Sequence, residues 1–251
     1  MDHFNYRNGQ LYAEDVSVAE IAESVGTPFY VYSTATLVRH FQLFDDALKG
    51  MDHFICYAMK AASNQAILKT LGNLGAGMDV VSGGEYRRAI SAGIPPEKVV
   101  FSGVGKTLEE ITLALQNGIR QFNVESDSEL EKISSIASSM DKIAPIAIRI
   151  NPDVDAQTHE KIATGKAENK FGIPLSRARE VYSKASQLPG ISIMGIDLHI
   201  GSQLTELEPF KKAYQKLADL THILRQDGHK IKRLDLGGGL GIPYELSLIH
   251  I

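Results

Sequence analysis

The chain is predicted to be an α/β protein of the TIM-type (β/α)8 barrel class, and three observations predict it. Short apolar runs of strand length alternate, from residue 54 onward, with segments whose apolar residues fall at helical spacing. Seven such runs can be placed, at 54–59, 77–81, 98–103, 121–125, 145–151, 191–200 and 231–236. Polar residues collect where these runs end, at Lys60, Asp79, Arg149, His199 and Ser202. Repeated βα units give a parallel sheet with helices outside it. Polar strand ends are where a barrel keeps its chemistry. The period alone also permits a doubly wound sheet; the unit count and the strand ends favour the barrel.

The first 28 residues read as separate from the rest of the chain. Asn8-Gly9 is a tight-turn signal between two short apolar pieces, so residues 4–12 suggest a hairpin. Residues 16–25 read as a short helix stopped by Gly26 and Pro28, and 29–32 as a strand. Ser33 or Thr34 can cap the next helix, with Leu37, Phe41, Phe44 and Leu48 on one face and Gly50 at its end. The apolar run 54–59 then stops at Lys60 and feeds the helical pattern Ala66, Ile67, Leu68, Leu71. A lysine at that place is expected to be poorly hydrated, which would free its amine to attack a carbonyl. Helical patterns are also found at 84–92, 108–116, 128–139, 176–187 and 209–226.

The strand ends differ in what they offer. Asp79 lies inside an apolar run and needs a partner, for which Lys60 is one strand away. Ser82 with Glu85 has the spacing of a capping box. Gly105-Lys106-Thr107 has the tail of a phosphate-binding loop, but Val100 stands where that motif needs glycine, which excludes it. Arg149 must also be paired, with Asp79, Glu125 or a bound group. His199 is followed by Gly201, which allows close approach, and by the hydroxyl of Ser202. Gly237-Gly238-Gly239 bares backbone N–H groups, as a phosphate nest does, and is not the dinucleotide fingerprint.

These motifs carry a family resemblance. Tyr57-Ala58-Met59-Lys60-Ala61 and His199-Ile200-Gly201-Ser202, together with the glycine run, resemble the fold-type III pyridoxal-phosphate decarboxylases of the alanine-racemase-like barrel group. Ala62 departs from the asparagine common there. The resemblance implies pyridoxal 5'-phosphate as cofactor, held by Lys60 as a Schiff base, with His199 stacked on the pyridine ring and Ser202 on the phosphate. Asp79, Arg149, Gly237, Gly238 and Gly239 complete the expected cofactor-binding set, and Lys60 and His199 the catalytic one. Thr164-Gly165-Lys166 with Lys170-Phe171-Gly172 is similar to the corresponding loop of the meso-diaminopimelate decarboxylases. The implied reaction is therefore decarboxylation of meso-diaminopimelate to L-lysine. The alternatives are a decarboxylase of ornithine, arginine or carboxynorspermidine, or a non-catalytic pyridoxal-phosphate carrier. The family continues with an eighth strand and a β domain, and its members work as dimers. The expectation is thus an incomplete barrel over 29–245, an N-terminal segment 1–28 that joins the β domain, and a homodimeric parent. Residues 246–251 resemble an adapter-encoded, non-native tail, and this chain by itself is expected to be inactive.

Composition excludes other classes. Lys and Arg number 26 against 30 Asp and Glu, so no basic excess points to nucleic acid. Cys56 is the only cysteine, which rules out an intrachain disulfide and fits a reducing compartment. No apolar run approaches the ~20 residues of a membrane helix, and the N-terminus lacks a signal-peptide pattern. A cytoplasmic protein acting on a small amino acid is expected, with no metal in its site.

Overall fold

The computed structural model describes residues 3–154 and 171–242. The chain divides into two compact units, one running to Asp79 and including Gly84–Val99, the other comprising Val80–Gly83 and the residues from Val100 onward. Thr164-Gly165-Lys166 and Lys170 of the loop motif, and the tail at 246–251, lie outside the described residues, while Phe171 and Gly172 are within them.

The first unit opens with β1 (Phe4–Arg7) and β2 (Gln10–Ala13), an antiparallel hairpin. Its two-residue turn is Asn8 at φ 51° and Gly9 at φ 79°, the positive-φ pair a right-twisted hairpin needs. β3 (Val16–Ser17) adds to β2, and α1 (Val18–Val25) starts at Ser17, whose hydroxyl accepts from the Ala19 N–H. The helix expected from residue 16 thus begins two residues later, because Val16 pairs with Ala13. α2 (Thr34–Ala47) is capped by Ser33. Glu14 fastens the hairpin to this helix by accepting from the Ser33 hydroxyl at 2.7 Å and the Ala35 N–H at 2.8 Å. Those donors, the Ala35 N–H foremost, hold the Glu14 carboxyl below the ordinary range.

The strand expected at 29–32 does not form. Tyr30 is 91% exposed, and no ladder partner meets the segment among the described residues. Its β-branched and aromatic residues have the propensity, but propensity without a neighbouring strand leaves the backbone unpaired. β4 (Cys56–Ala58) then pairs in parallel with β5 (Gly77–Val80), with α3 (Gln65–Asn73) between them. The ladder is longer than the strand, since the Gly77 N–H donates to Ile55 and the Met59 N–H to Asp79. α4 (Gly83–Ser91) comes next in the chain.

In the second unit β6 (Val99–Phe101), β7 (Gln121–Val124), β8 (Ala144–Asn151), β10 (Ile191–Asp197) and β11 (Arg233–Asp235) pair in that order, all parallel. β9 (Ile173–Pro174) is a short addition to the end of β8 that no apolar run announces. α5 (Leu108–Gln116), α6 (Asp127–Ser139), α7 (Ala178–Gln187) and α8 (Glu208–Gln226) connect them. Four-residue β7 is buried throughout, as strands covered on both faces are. Phe101 stacks on Phe122 at 6.1 Å, and Leu130, Ile133, Ile146, Ile148 and Tyr182 are fully buried around the sheet. Seven parallel strands of the expected barrel are therefore present among the described residues.

Candidate active site

Lys60 stands on a tight turn after β4. The Ala61 N–H closes that turn onto Ala58, and the Tyr57 hydroxyl donates to the Ala62 carbonyl at 3.2 Å. Burial raises the Tyr57 phenol, so it stays a donor. Downstream, two Arg88 N–H groups hold the Ser63 carbonyl at 2.9 and 2.6 Å. The lysine is thus carried by a loop pinned on both sides. Contrary to expectation its side chain is exposed, and it forms no ion pair among the described residues. The physical reason is local: the strand ends at Ala58, and the turn lifts residue 60 out of the ladder. Asp79 lies beside Ala58 in register, half-buried, with its carbonyl on the Met59 N–H.

The second unit carries the other strand ends. Arg149 on β8 gives one nitrogen to both Glu125 oxygens at 2.8 and 2.9 Å, and Glu125 also accepts from the Gly103 N–H. Of the partners expected for Arg149, Glu125 is the one it takes. Its Nε is buried with no hydrogen-bond partner, 4.0 Å from Asp197 Oδ2. Its guanidinium also lies 5.8 Å from the centre of the Phe171 ring.

His199, Ser202 and the three glycines come together. The Leu198 N–H donates to Asp235, the Leu204 N–H to Gly239 and the Gly241 N–H to Leu204, which stitches the loop after β10 to the loop after β11. Gly237 at φ 65° leaves no room for a side chain: a Cβ there would meet the Leu198 carbonyl and come within 3.2 Å of His199 Nδ1. At Gly239, φ 102°, a Cβ would run into the Gly201 carbonyl. Glycine is required at both for close approach. A Cβ at Gly238 meets nothing within 4 Å, so the turn faces open space. Among the described residues the N–H groups of Gly238 and Gly239 and the exposed Ser202 hydroxyl hold no acceptor. Three unclaimed donors beside an imidazole fit a phosphate attached to a flat ring.

Lys106 has a structural task instead. Its buried Nζ donates to Gly103, Asn123 and Glu129 Oε1, each at 2.7 Å. Thr107 and Glu110 form a capping box on α5, and Glu110 also accepts the first N–H of α4, that of Gly83. Sequence reasoning assigned nothing to Asn123, Asp197 and Asp235. Each is a polar residue at or next to the last position of its strand, the signal that could have found them.

The family model for the pyridoxal-dependent decarboxylases, pyridoxal binding domain, matches residues 34–249. The chain is 55% identical to the diaminopimelate decarboxylase of Haemophilus influenzae over 97% of its own length and 59% of that protein's. It is 53% identical to that of Vibrio cholerae, over 99% of this chain and 60% of the relative. The crystal structure of diaminopimelate decarboxylase from Helicobacter pylori complexed with L-lysine superposes with a TM-score of 0.87 at 44% identity, covering 90% of this chain and 58% of that one. The chain thus spans about three-fifths of the length of the relatives it matches. No helix among the described residues is long and apolar enough to cross a membrane.

Proposed function

Since the chain belongs to the pyridoxal-dependent decarboxylases, we propose that the protein carrying it removes the carboxylate at one α-carbon of meso-diaminopimelate and releases L-lysine. The observation that carries the reading is the stitched pair of strand-end loops, in which Gly237 and Gly239 pack against the His199–Gly201 segment and leave three donors unclaimed. Diaminopimelate is favoured over ornithine, arginine and carboxynorspermidine because the curated relatives named for it are 45–55% identical over nearly the whole chain.

When bound, pyridoxal phosphate supplies a ring that takes up the electron pair left as CO2 departs. The chain's residues hold and orient it. Lys60 would hold the cofactor through its Nζ, and the pinned loop fixes the backbone that carries it. Asp79 stands on the neighbouring strand in register with Ala58, two residues before Lys60. The His199 ring, with its Nδ1 3.2 Å from where a Cβ at Gly237 would lie, would stack on the pyridine ring. Ser202, Gly238 and Gly239 would donate to the phosphate, while the buried Arg149 Nε faces Asp197 at 4.0 Å. Glu125 offsets the charge of Arg149 through one of its nitrogens. A non-catalytic carrier would need the phosphate donors but not this oriented Arg149. A cytoplasmic homodimer, with residues 1–28 joining a β domain, is part of the same reading.

The test is CO2 release by the full-length protein from meso-diaminopimelate, ornithine, arginine and carboxynorspermidine, each with pyridoxal phosphate. Turnover of meso-diaminopimelate with L-lysine as product is expected. Preference for another amino acid would overturn the substrate assignment, and pyridoxal phosphate binding without turnover of any would favour the carrier.

A further inference from the structure

We infer that Asp235 is a positioning residue that holds the Gly237–Gly239 turn in its phosphate-accepting form, and that Asn123, reaching it from β7, holds Asp235 in turn. The inference rests on the reading of that turn as the phosphate site. Asp235 closes β11, and both of its oxygens are used. Oδ1 accepts the Gly237 N–H at 3.1 Å, and Oδ2 accepts Asn123 Nδ2 at 3.0 Å. Asn123 has no freedom of its own. It is buried, its other contacts are Ser102 Oγ at 3.0 Å and Gln121 Nε2 at 2.8 Å, and Lys106 grips its carbonyl. β7 and β11 are not neighbours in the sheet, since β8 and β10 stand between them. The Asn123–Asp235 bond therefore ties two strand ends that no ladder connects.

The glycines need such a tie. Three in succession visit positive and negative φ with equal ease, so without it the turn loses more backbone entropy on ordering than any other sequence would. Drawing the Gly237 N–H inward to Asp235 sets φ at Gly237, and the Gly238 and Gly239 N–H groups are left for a ligand. A carboxylate close to a phosphate repels it, so a residue of this charge is useful there only through its geometry. Here its lone pairs are directed at Gly237 and Asn123.

The experiment compares dissociation constants of pyridoxal phosphate and of pyridoxal, which lacks the phosphate, for the full-length protein by absorbance titration. Asp235→Ala, Asn123→Ala and Gly239→Ala are measured beside the native protein, with apo melting temperatures recorded as a check on folding. Asp235→Ala is expected to lower the preference for pyridoxal phosphate over pyridoxal by about tenfold, the scale of one hydrogen bond to a charged group. Asn123→Ala should act in the same direction. If Gly239→Ala lowers the preference while both Asp235→Ala and Asn123→Ala weaken the two ligands alike, the positioning role is overturned and the phosphate site stands. If Gly239→Ala also leaves the preference unchanged, the phosphate reading fails and the inference with it.

Discussion

Replacing Lys106 by Met should destabilise the protein strongly and in a pH-dependent way. The Lys106 and Glu129 side chains are 1% and 7% exposed, and their contact is 2.7 Å. Burial raises the Glu129 carboxyl, while the charge and hydrogen bond of Lys106 oppose the rise. Methionine keeps the apolar stem but removes the charge, leaving Glu129 buried without its cation and two carbonyls without their donor. Breaking a buried pair on one side costs about 3–5 kcal/mol, a large part of the roughly 5–15 kcal/mol that holds a domain together. Linkage sets the sign with pH. In the variant, folded Glu129 keeps its proton at a pH where the unfolded chain, near pKa ~4.3, releases it. The folded state then binds more protons, so stability falls as pH rises. Urea unfolding at pH 7.5, 6 and 5 is the assay. The deficit should be largest at pH 7.5 and shrink toward pH 5, and its pH dependence should vanish in Lys106→Met/Glu129→Gln. A deficit under about 1 kcal/mol, or one independent of pH, would refute the reasoning.

Three further outcomes are expected. Ser202→Ala should weaken pyridoxal phosphate binding by about 1–3 kcal/mol, the worth of a hydrogen bond to a charged group, read by titration; unchanged binding would remove Ser202 from the site. His199→Ala should alter the absorbance spectrum of the bound cofactor, and an identical spectrum would remove the stacking role. Because Glu14 is held below the ordinary carboxylate range, chiefly by the Ala35 N–H, its contribution is present above the unfolded value and lost as pH falls through the folded one. Limited proteolysis should therefore nick the N-terminal hairpin more readily on acidification, and Glu14→Gln should flatten that pH dependence.

The βα repetition was legible because most of its strands fall within short apolar runs set between segments of helical spacing. The helices at 108–116 and 209–226 fell within a residue of their observed bounds, since Thr107 caps the first, Pro209 opens the second, and Gly118 and Gly228 follow them. Residues 29–32 misled because Tyr30 and Tyr32 have strand propensity, while pairing is decided by a partner that local sequence does not name. β9 was invisible because two residues set no period. At the site, Lys60, Arg149 and His199 stood out as charged or aromatic punctuation at strand ends. The exposure of Lys60 did not, because it depends on a turn closed by Ala61. The Asn123–Asp235 bond spans 112 residues of sequence, a distance at which no spacing rule operates.

The most direct measurement is chemical. The protein is incubated with pyridoxal phosphate, reduced with borohydride to fix the carbon–nitrogen bond, digested and mapped. The account predicts one pyridoxyl group, on the peptide containing Lys60. A label confined to any other lysine, or no label at all, would contradict it.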